Sequence, residues 1–281
     1  MEPTPPSAML RKYGLAPSRQ RGQNFLVDDN VVRKLVGAAV RPGDVVVEIG
    51  PGFGAITFRL AEAARHVVAV EFDAGIARAF RAEYGEPEGI TLVAGDILDF
   101  DFDGAARLHG ASSLVVVGNI PYNVTSPLIR RLIESRERVS RAVVMVQREV
   151  ADRLAAGPGD PEYSALSVIV RFHTRVRPLF QVRRTCFYPR PNVDSGVIEL
   201  DFETPPPHRS DAHLFSEVVR AAFGKRRKML RQSLRELAEG AGVSIEALEG
   251  RSGVDLARRA ETLSLEEFED LTVALGGGVG S

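Results

Sequence analysis

Between Val45 and Ala156, five short runs of β-branched and other apolar residues alternate with stretches of helical period, and this constrains the fold more than any other feature. The runs Val45 to Ile49, Val67 to Glu71, Ile90 to Ala94, Leu114 to Val117 and Ala142 to Val146 have strand length and strand composition. The intervening segments Ala55 to Arg65, Ala74 to Tyr84, Ser126 to Glu134 and Arg148 to Ala156 carry the helical spacing. Such alternation predicts an α/β fold, a doubly wound parallel sheet with its ligand crevice at the strand C-termini. Two further strands, around residues 175–180 and 196–202, are expected to form its antiparallel edge. Upstream, Asp28 or Asp29 can cap a helix bearing Val31, Val32, Leu35, Val36 and Ala39, which Arg41-Pro42-Gly43-Asp44 terminates.

Pro205-Pro206-Pro207 can continue neither a strand nor a helix, so the domain boundary is placed there. Asp211 then caps a helix running to about Phe223, and a second is expected from Arg226 to Ala238. Ser264-x-x-Glu267 is a capping box opening a third. The expected organisation is a mobile segment 1–18, a catalytic domain 19–204, a helical domain 208–275 and a disordered glycine-rich tail 276–281. No apolar run reaches the length of a membrane span, and the N-terminus lacks the pattern of a secretory leader, which together predict a cytoplasmic protein. Cys186 is the sole cysteine and the five histidines show no ligand spacing, so neither a disulfide nor a metal site is expected.

Val45 to Ile49 runs into Gly50-Pro51-Gly52-Phe53-Gly54, a turn whose glycines let backbone approach a ligand closely. Glu71, 21 residues after Gly50, ends the next strand, where a carboxylate can accept both hydroxyls of a ribose. With Ala55 the turn also satisfies a relaxed dinucleotide fingerprint, so a nicotinamide or flavin remains in contention. Against that, Gly95-Asp96 sets a second carboxylate at the third strand tip. A carboxylate-rich crevice without basic residues suits a cationic, phosphate-free ligand such as S-adenosyl-L-methionine.

The fourth strand ends in Gly118-Asn119-Ile120-Pro121-Tyr122. The Asn119 side-chain oxygen and the Pro121 carbonyl are two acceptors, and Tyr122 offers a ring for stacking. Two acceptors above an aromatic face match the exocyclic amine of adenine, with Phe187 a candidate for the opposite face of the base. The formal net charge is −1, yet residues 3–27, 171–193 and 218–235 carry basic residues and no acid. Local basic patches on a near-neutral protein suit a selected polyanion.

Taken in order, Gly22-Gln23-Asn24-Phe25-Leu26, the glycine loop, Glu71, Gly95-Asp96, Asn119-Ile120-Pro121-Tyr122, Phe187-x-Pro189-x-Pro191-x-Val193-Asp194-Ser195 and Arg226-Arg227-Lys228 resemble the rRNA adenine N6-dimethyltransferases over residues 19–272. Arg226 to Arg231 and the ending from Arg259 to Glu266 are similar to the KsgA/RsmA branch, which acts on small-subunit rRNA; the Erm branch fits less well. The resemblance implies a Rossmann-like class I methyltransferase sheet with a small C-terminal helical domain. It also implies that Asn24, Leu26, Gly50, Gly52, Glu71, Asp96 and Asn119 line the S-adenosyl-L-methionine site, and that Asn119, Pro121, Tyr122 and Phe187 hold the adenine. Lys225, Arg226, Arg227, Lys228, Arg231 and Arg235 are the expected RNA contacts, and a pre-30S particle is the expected partner of a monomer. Ile120 replaces the family's more usual leucine, a change of packing rather than of chemistry.

Two other functions use the same features. A DNA adenine methyltransferase needs the same amine chemistry, although the C-terminal segment is short for a duplex-reading domain. A ribosome-assembly factor whose main role is binding would need the same basic surfaces.

Overall fold

The computed structural model describes every residue except 19–21, 122–123, 226, 277 and 279–281. Its centre is a seven-stranded sheet of β1 (Val45–Ile49), β2 (His66–Glu71), β3 (Ile90–Ala94), β4 (Leu114–Asn119), β5 (Val139–Gln147), β6 (Arg175–Val182) and β7 (Ser195–Asp201), in the order β3-β2-β1-β4-β5-β7-β6. The first five strands pair in parallel, and β7 runs antiparallel to β5 with Val144 opposite Ile198. Every residue of β1 is buried, Glu48 included, which explains why the other four are all apolar: a central parallel strand has no solvent face. The outermost strand, β6, is exposed or half-buried everywhere but at Val182 and carries Arg175, Arg177 and Pro178, residue types that discourage another strand from pairing with an open edge.

Strand order reverses between β1 and β4, so the connections leaving their C-termini diverge and open a crevice. Close packing at the reversal depends on Gly118. A Cβ there would stand 2.8 Å from both the Cβ and the carbonyl oxygen of Ile49 on β1. Helices are fixed where the sequence supplies caps: Asp28 accepts from the backbone N–H groups of Asn30 and Val31 for the helix Asp29–Ala39, and Asp73 accepts from Gly75 and Ile76 for the helix Ala74–Tyr84.

The N-terminal segment differs from expectation. Instead of a mobile start, Pro6–Lys12 is a helix whose Met9 and Leu10 are buried with Phe53, Ile76 and Ala79. Seven residues are too few to show a helical period, but two adjacent large apolar side chains suffice to dock one turn.

The chain divides into two compact units, one of residues 1–151 and 176–203, the other of residues 152–175 and 204–281. Residues 152–175, which the sequence reading left in the first domain, join the second because the helix Ala165–His173 contributes Val168 and Phe172 to its core. Phe172 stacks on Phe215 of the helix Ala212–Gly224 with ring centroids 4.0 Å apart. The Ser264–Glu267 capping box forms and opens the helix Leu265–Ala274.

The basic segment is not the single helix expected from Arg226 to Ala238. Residues 227–229 lie outside any helix, Leu230–Ser233 is one short helix and Arg235–Gly240 another. The backbone N–H groups of Leu230 and Arg231 donate to the carbonyls of Arg258 and Leu256, fixing the first turn to a neighbouring loop. Leu230 and Leu234 are fully buried, while Arg227, Arg231 and Arg235 are exposed without sharing one helix face.

Candidate active site

A cavity of about 390 Å3 lies at the C-terminal ends of β1 to β4. Gly50 and Gly52 turn the chain out of β1 with φ of 65° and 57°, in the left-handed region that favours glycine. A Cβ on Gly52 would meet the Phe25 ring at 2.9 Å, so the loop also needs glycine for close approach. Glu71, at the end of β2 and 6% exposed, accepts from Gly52 N–H at 3.1 Å through one oxygen and from Asp73 N–H at 2.8 Å through the other. One carboxylate therefore sets both the glycine loop and the turn into the next helix. Each carboxylate oxygen has more than one acceptor direction, so this anchoring is compatible with ribose hydroxyls.

At the tip of β4, the Asn119 amide nitrogen donates to the Asn24 carbonyl at 2.7 Å. That carbonyl can only accept, which fixes the amide orientation and makes the remaining end an acceptor oxygen. Asn24 arrives with a segment held by a two-stranded pairing, Phe25 opposite Tyr188 and Leu26 opposite Phe187. Asn24 itself donates to the Gly22 carbonyl at 3.1 Å, and Gln23 donates to Asp73 at 3.0 Å. The Pro121 carbonyl accepts from Val124 N–H at 3.1 Å, leaving its second lone pair for any further donor. Asp96, at the tip of β3, caps the short turn Ile97–Asp99 by accepting from Leu98 N–H at 2.9 Å.

The structure gathers Asn24, Leu26, Gly50, Gly52, Glu71, Asp96, Asn119 and Pro121 around this one cavity. Phe187 is not among the described lining residues; it is 4% exposed, packs with the core and pairs through its backbone with Leu26, which does line the cavity. Tyr122 and Arg226 lie outside the described residues. Lys225, Arg227, Lys228, Arg231 and Arg235 belong to the other unit, and all five are exposed. Sequence reasoning missed Phe25, Phe53 and Phe72, which add aromatic wall to the cavity. Phe72 is 60% exposed. Its position directly after Glu71 was the available signal.

The described lining includes the carboxylates Asp29, Glu71, Asp73 and Asp96 and no lysine, arginine or histidine. That donor set repels phosphates and suits a cation. It fits S-adenosylmethionine, whose sulfonium and ammonium are positive, better than a dinucleotide.

Behind the glycine loop, Glu48 on β1 is 1% exposed, and among the described residues neither carboxylate oxygen meets a partner at full hydrogen-bond geometry. Burial pushes its carboxyl up to about 8; the nearby Thr57 hydroxyl offsets part of the rise and the charge of Glu71 adds to it. The folded chain therefore keeps a proton that the unfolded chain loses above its ordinary value near 4.5. The unfolded state binds fewer protons across that window, so this group's contribution makes stability fall as pH rises from 4.5 to about 8 and level off beyond. Glu48→Gln is expected to remove that slope, so urea unfolding at pH 5 and pH 8 should show the variant gaining on the parent by about a few kcal/mol. Equal pH slopes in the two proteins would contradict the assignment.

The family described as "Ribosomal RNA adenine dimethylase" matches residues 17–274. A "Ribosomal RNA small subunit methyltransferase A" from Moorella thermoacetica is 44% identical over 279 residues, covering 95% of this chain and 96% of that protein. Among solved structures, the 23S rRNA methyltransferase ErmE superposes with a TM-score of 0.69 at 25% identity, covering 90% of this chain and all of that one. A dimethyladenosine transferase from Plasmodium falciparum gives 0.72 at 24% identity over 90% and 99% of the two chains. The second likeness shows the shared Rossmann-like methyltransferase fold. With the family match spanning nearly the whole sequence and a relative 44% identical over 95% of it, the chain belongs to the ribosomal RNA adenine dimethylase family.

Proposed function

We propose that the protein transfers two methyl groups from S-adenosylmethionine to the N6 amine of adenosines in small-subunit (16S) rRNA, acting as a monomer on a pre-30S particle in the cytoplasm. The observation that carries this reading is the oriented Asn119 amide, its nitrogen committed to Asn24 and its oxygen left as acceptor, in the same cavity as Glu71 and Asp96. The choice of small-subunit RNA is supported by the 44% identical relative of that name, whereas the fold is shared with a 23S enzyme. Among the described residues, no helix is long and apolar enough to cross a membrane, which is compatible with the proposed location.

When bound, S-adenosylmethionine supplies a methyl already activated by its sulfonium. The amine is the poor partner, because its lone pair is delocalised into the ring. The protein's task is therefore positioning. The Asn119 oxygen and the Pro121 carbonyl accept the amine hydrogens and turn the lone pair out of conjugation. As the N6–methyl bond formed and the methyl–sulfur bond broke, positive charge would grow on N6 until one of its protons was lost to solvent, so these acceptors would hold the transition state more tightly than the substrate. Tyr122, next in sequence to Pro121, is assigned to stacking on the base. The site must also admit N6-methyladenosine for the second transfer. Glu71 would hold the cofactor ribose, and Asp96 would accept from the cofactor adenine rather than act as a base.

The test is transfer to 30S particles from a strain lacking the modification, with N6,N6-dimethyladenosine measured by mass spectrometry in digested 16S rRNA. Modification of 23S rRNA instead would overturn the substrate assignment.

The helical domain 208–275 is proposed to contact RNA through Lys225, Arg226, Arg227, Lys228, Arg231 and Arg235. Changing Arg227, Arg231 and Arg235 together to Glu should weaken 30S binding and lower the slope of log affinity against log salt by about two to three. Affinity for S-adenosylhomocysteine should not move. An unchanged salt slope would shift the assignment to the acid-free segment 171–193.

A further inference from the structure

Pro3, Thr4, Pro5 and Pro6 line the same cavity as Glu71 and Asn119. Two consecutive residues at the C-terminal end of the helix Ala74–Tyr84 hold this segment. The Glu83 carboxylate accepts from the Thr4 hydroxyl at 3.1 Å on one oxygen, and from Tyr13 Oη at 2.8 Å and Lys12 Nζ at 2.5 Å on the other. The Lys12 and Tyr13 bonds keep that carboxyl below the usual carboxylate range, so it is ionised at neutral pH. Tyr84 Oη accepts from Thr4 N–H at 2.9 Å and donates to the Phe53 carbonyl at 3.2 Å, tying the N-terminal segment to the glycine loop through one hydroxyl. Edge-on contacts of the Tyr84 ring with Phe58 and Phe80, at 4.9 and 5.0 Å between centroids, fix where that hydroxyl stands.

The opposite end of this helix is part of the site as well. Asp73 caps it, receives Gln23 and lines the cavity. One helix thus serves the cavity at its first turn and holds the cavity's outer segment at its last.

We infer that residues 3–6 are a built wall of the cofactor cavity, and that Glu83 and Tyr84 are positioning residues that set this wall against the glycine loop. The inference rests on reading the cavity as an S-adenosylmethionine site. A wall already in place costs the ligand no ordering; a loose one must be ordered on binding, which lowers affinity. The two acceptors assigned to the amine, the Asn119 oxygen and the Pro121 carbonyl, lie outside residues 3–6, so the chemical step should be little affected.

The test uses full-length Tyr84→Phe and Glu83→Gln, each retaining its bulk, and the double variant. Calorimetry with S-adenosylhomocysteine is expected to show about tenfold weaker binding in the double variant. The KM for S-adenosylmethionine should rise in parallel, with kcat changed by less than about threefold. Hydrogen exchange at residues 4–13 should be faster in the unliganded variants and slow again when ligand is added. A purely structural role would lower the melting temperature without splitting KM from kcat. Fast exchange at residues 4–13 combined with parental affinity would overturn the wall assignment, and so would unchanged exchange together with unchanged affinity. If the parent protein itself bound no S-adenosylhomocysteine, the cofactor reading would fall first and take the wall's role with it.

Discussion

Replacing Asn119 by alanine is expected to lower the single-turnover rate of methyl transfer by about 10²- to 10³-fold, the usual cost of losing one donor or acceptor aimed at developing charge. Binding of S-adenosylhomocysteine should remain measurable, because the glycine loop is held by Glu71 rather than by Asn119. Two effects are combined in this variant. The acceptor for the amine is removed, and the Asn24 carbonyl loses the donor that sits 2.7 Å away. Asn119→Asp separates them, since it keeps acceptor oxygens but cannot donate to Asn24. Recovery of much of the rate in the aspartate variant would assign the effect to the acceptor, and equal loss would assign it to the tether. A near-normal rate in Asn119→Ala would remove the proposed chemistry altogether.

The next largest effect is expected at Glu71. Hydrogen bonds to a charged group contribute roughly 1.5 to 3 kcal/mol, so Glu71→Ala should weaken S-adenosylmethionine binding by about 10- to 100-fold. The loss should lie at the upper end, because the same carboxylate receives the N–H groups of Gly52 and Asp73 and its removal frees the loop as well as the ribose. Glu71→Gln keeps an acceptor but presents an N–H2 to one of those two donors, so it should bind more weakly than the parent and retain part of the loop geometry. Calorimetry distinguishes these outcomes. An alanine variant binding S-adenosylmethionine as the parent does would disprove the ribose assignment, and binding of NADH in its place would restore the dinucleotide reading.

Elements governed by local pattern were legible in the sequence. Val45–Ile49, Ala74–Tyr84 and Ile90–Ala94 fall where the sequence pattern placed them, since each combines a strand-length apolar run or a helical period with a cap or glycine break. The strand Val139–Gln147 began earlier than its apolar run suggested. Arg141 looks like a loop residue, yet it is buried and satisfied by Asp44 and the Ala39 carbonyl, a pairing only the fold supplies. The helix Ala165–His173 went unassigned because its β-branched, nearly all-round apolar sequence is that of a buried helix and shows no polar face.

At the site the division is similar. Residues at strand tips, Glu71, Asp96 and Asn119, were readable from chain order, because a parallel sheet delivers each tip to one edge. The N-terminal wall and the burial of Phe187 were not. Both depend on pairings between segments far apart in sequence, Phe25–Leu26 with Phe187–Tyr188 and Thr4 with Glu83 and Tyr84, and spacing along the chain does not encode such meetings.

The path of the chain between its two units has a practical bearing on how this protein can be dissected. It crosses at residues 151–152, 175–176 and 203–204, so the second unit is assembled from an excursion and a tail. A stop codon at the proline run would therefore not release an intact catalytic half. It would leave the excursion behind with Val168 and Phe172 stripped of Phe215 and the rest of their core, an apolar surface open to aggregation. Gene fusions and minimal fragments of this chain are constrained in the same way, since the tail and the excursion must be kept together or replaced together.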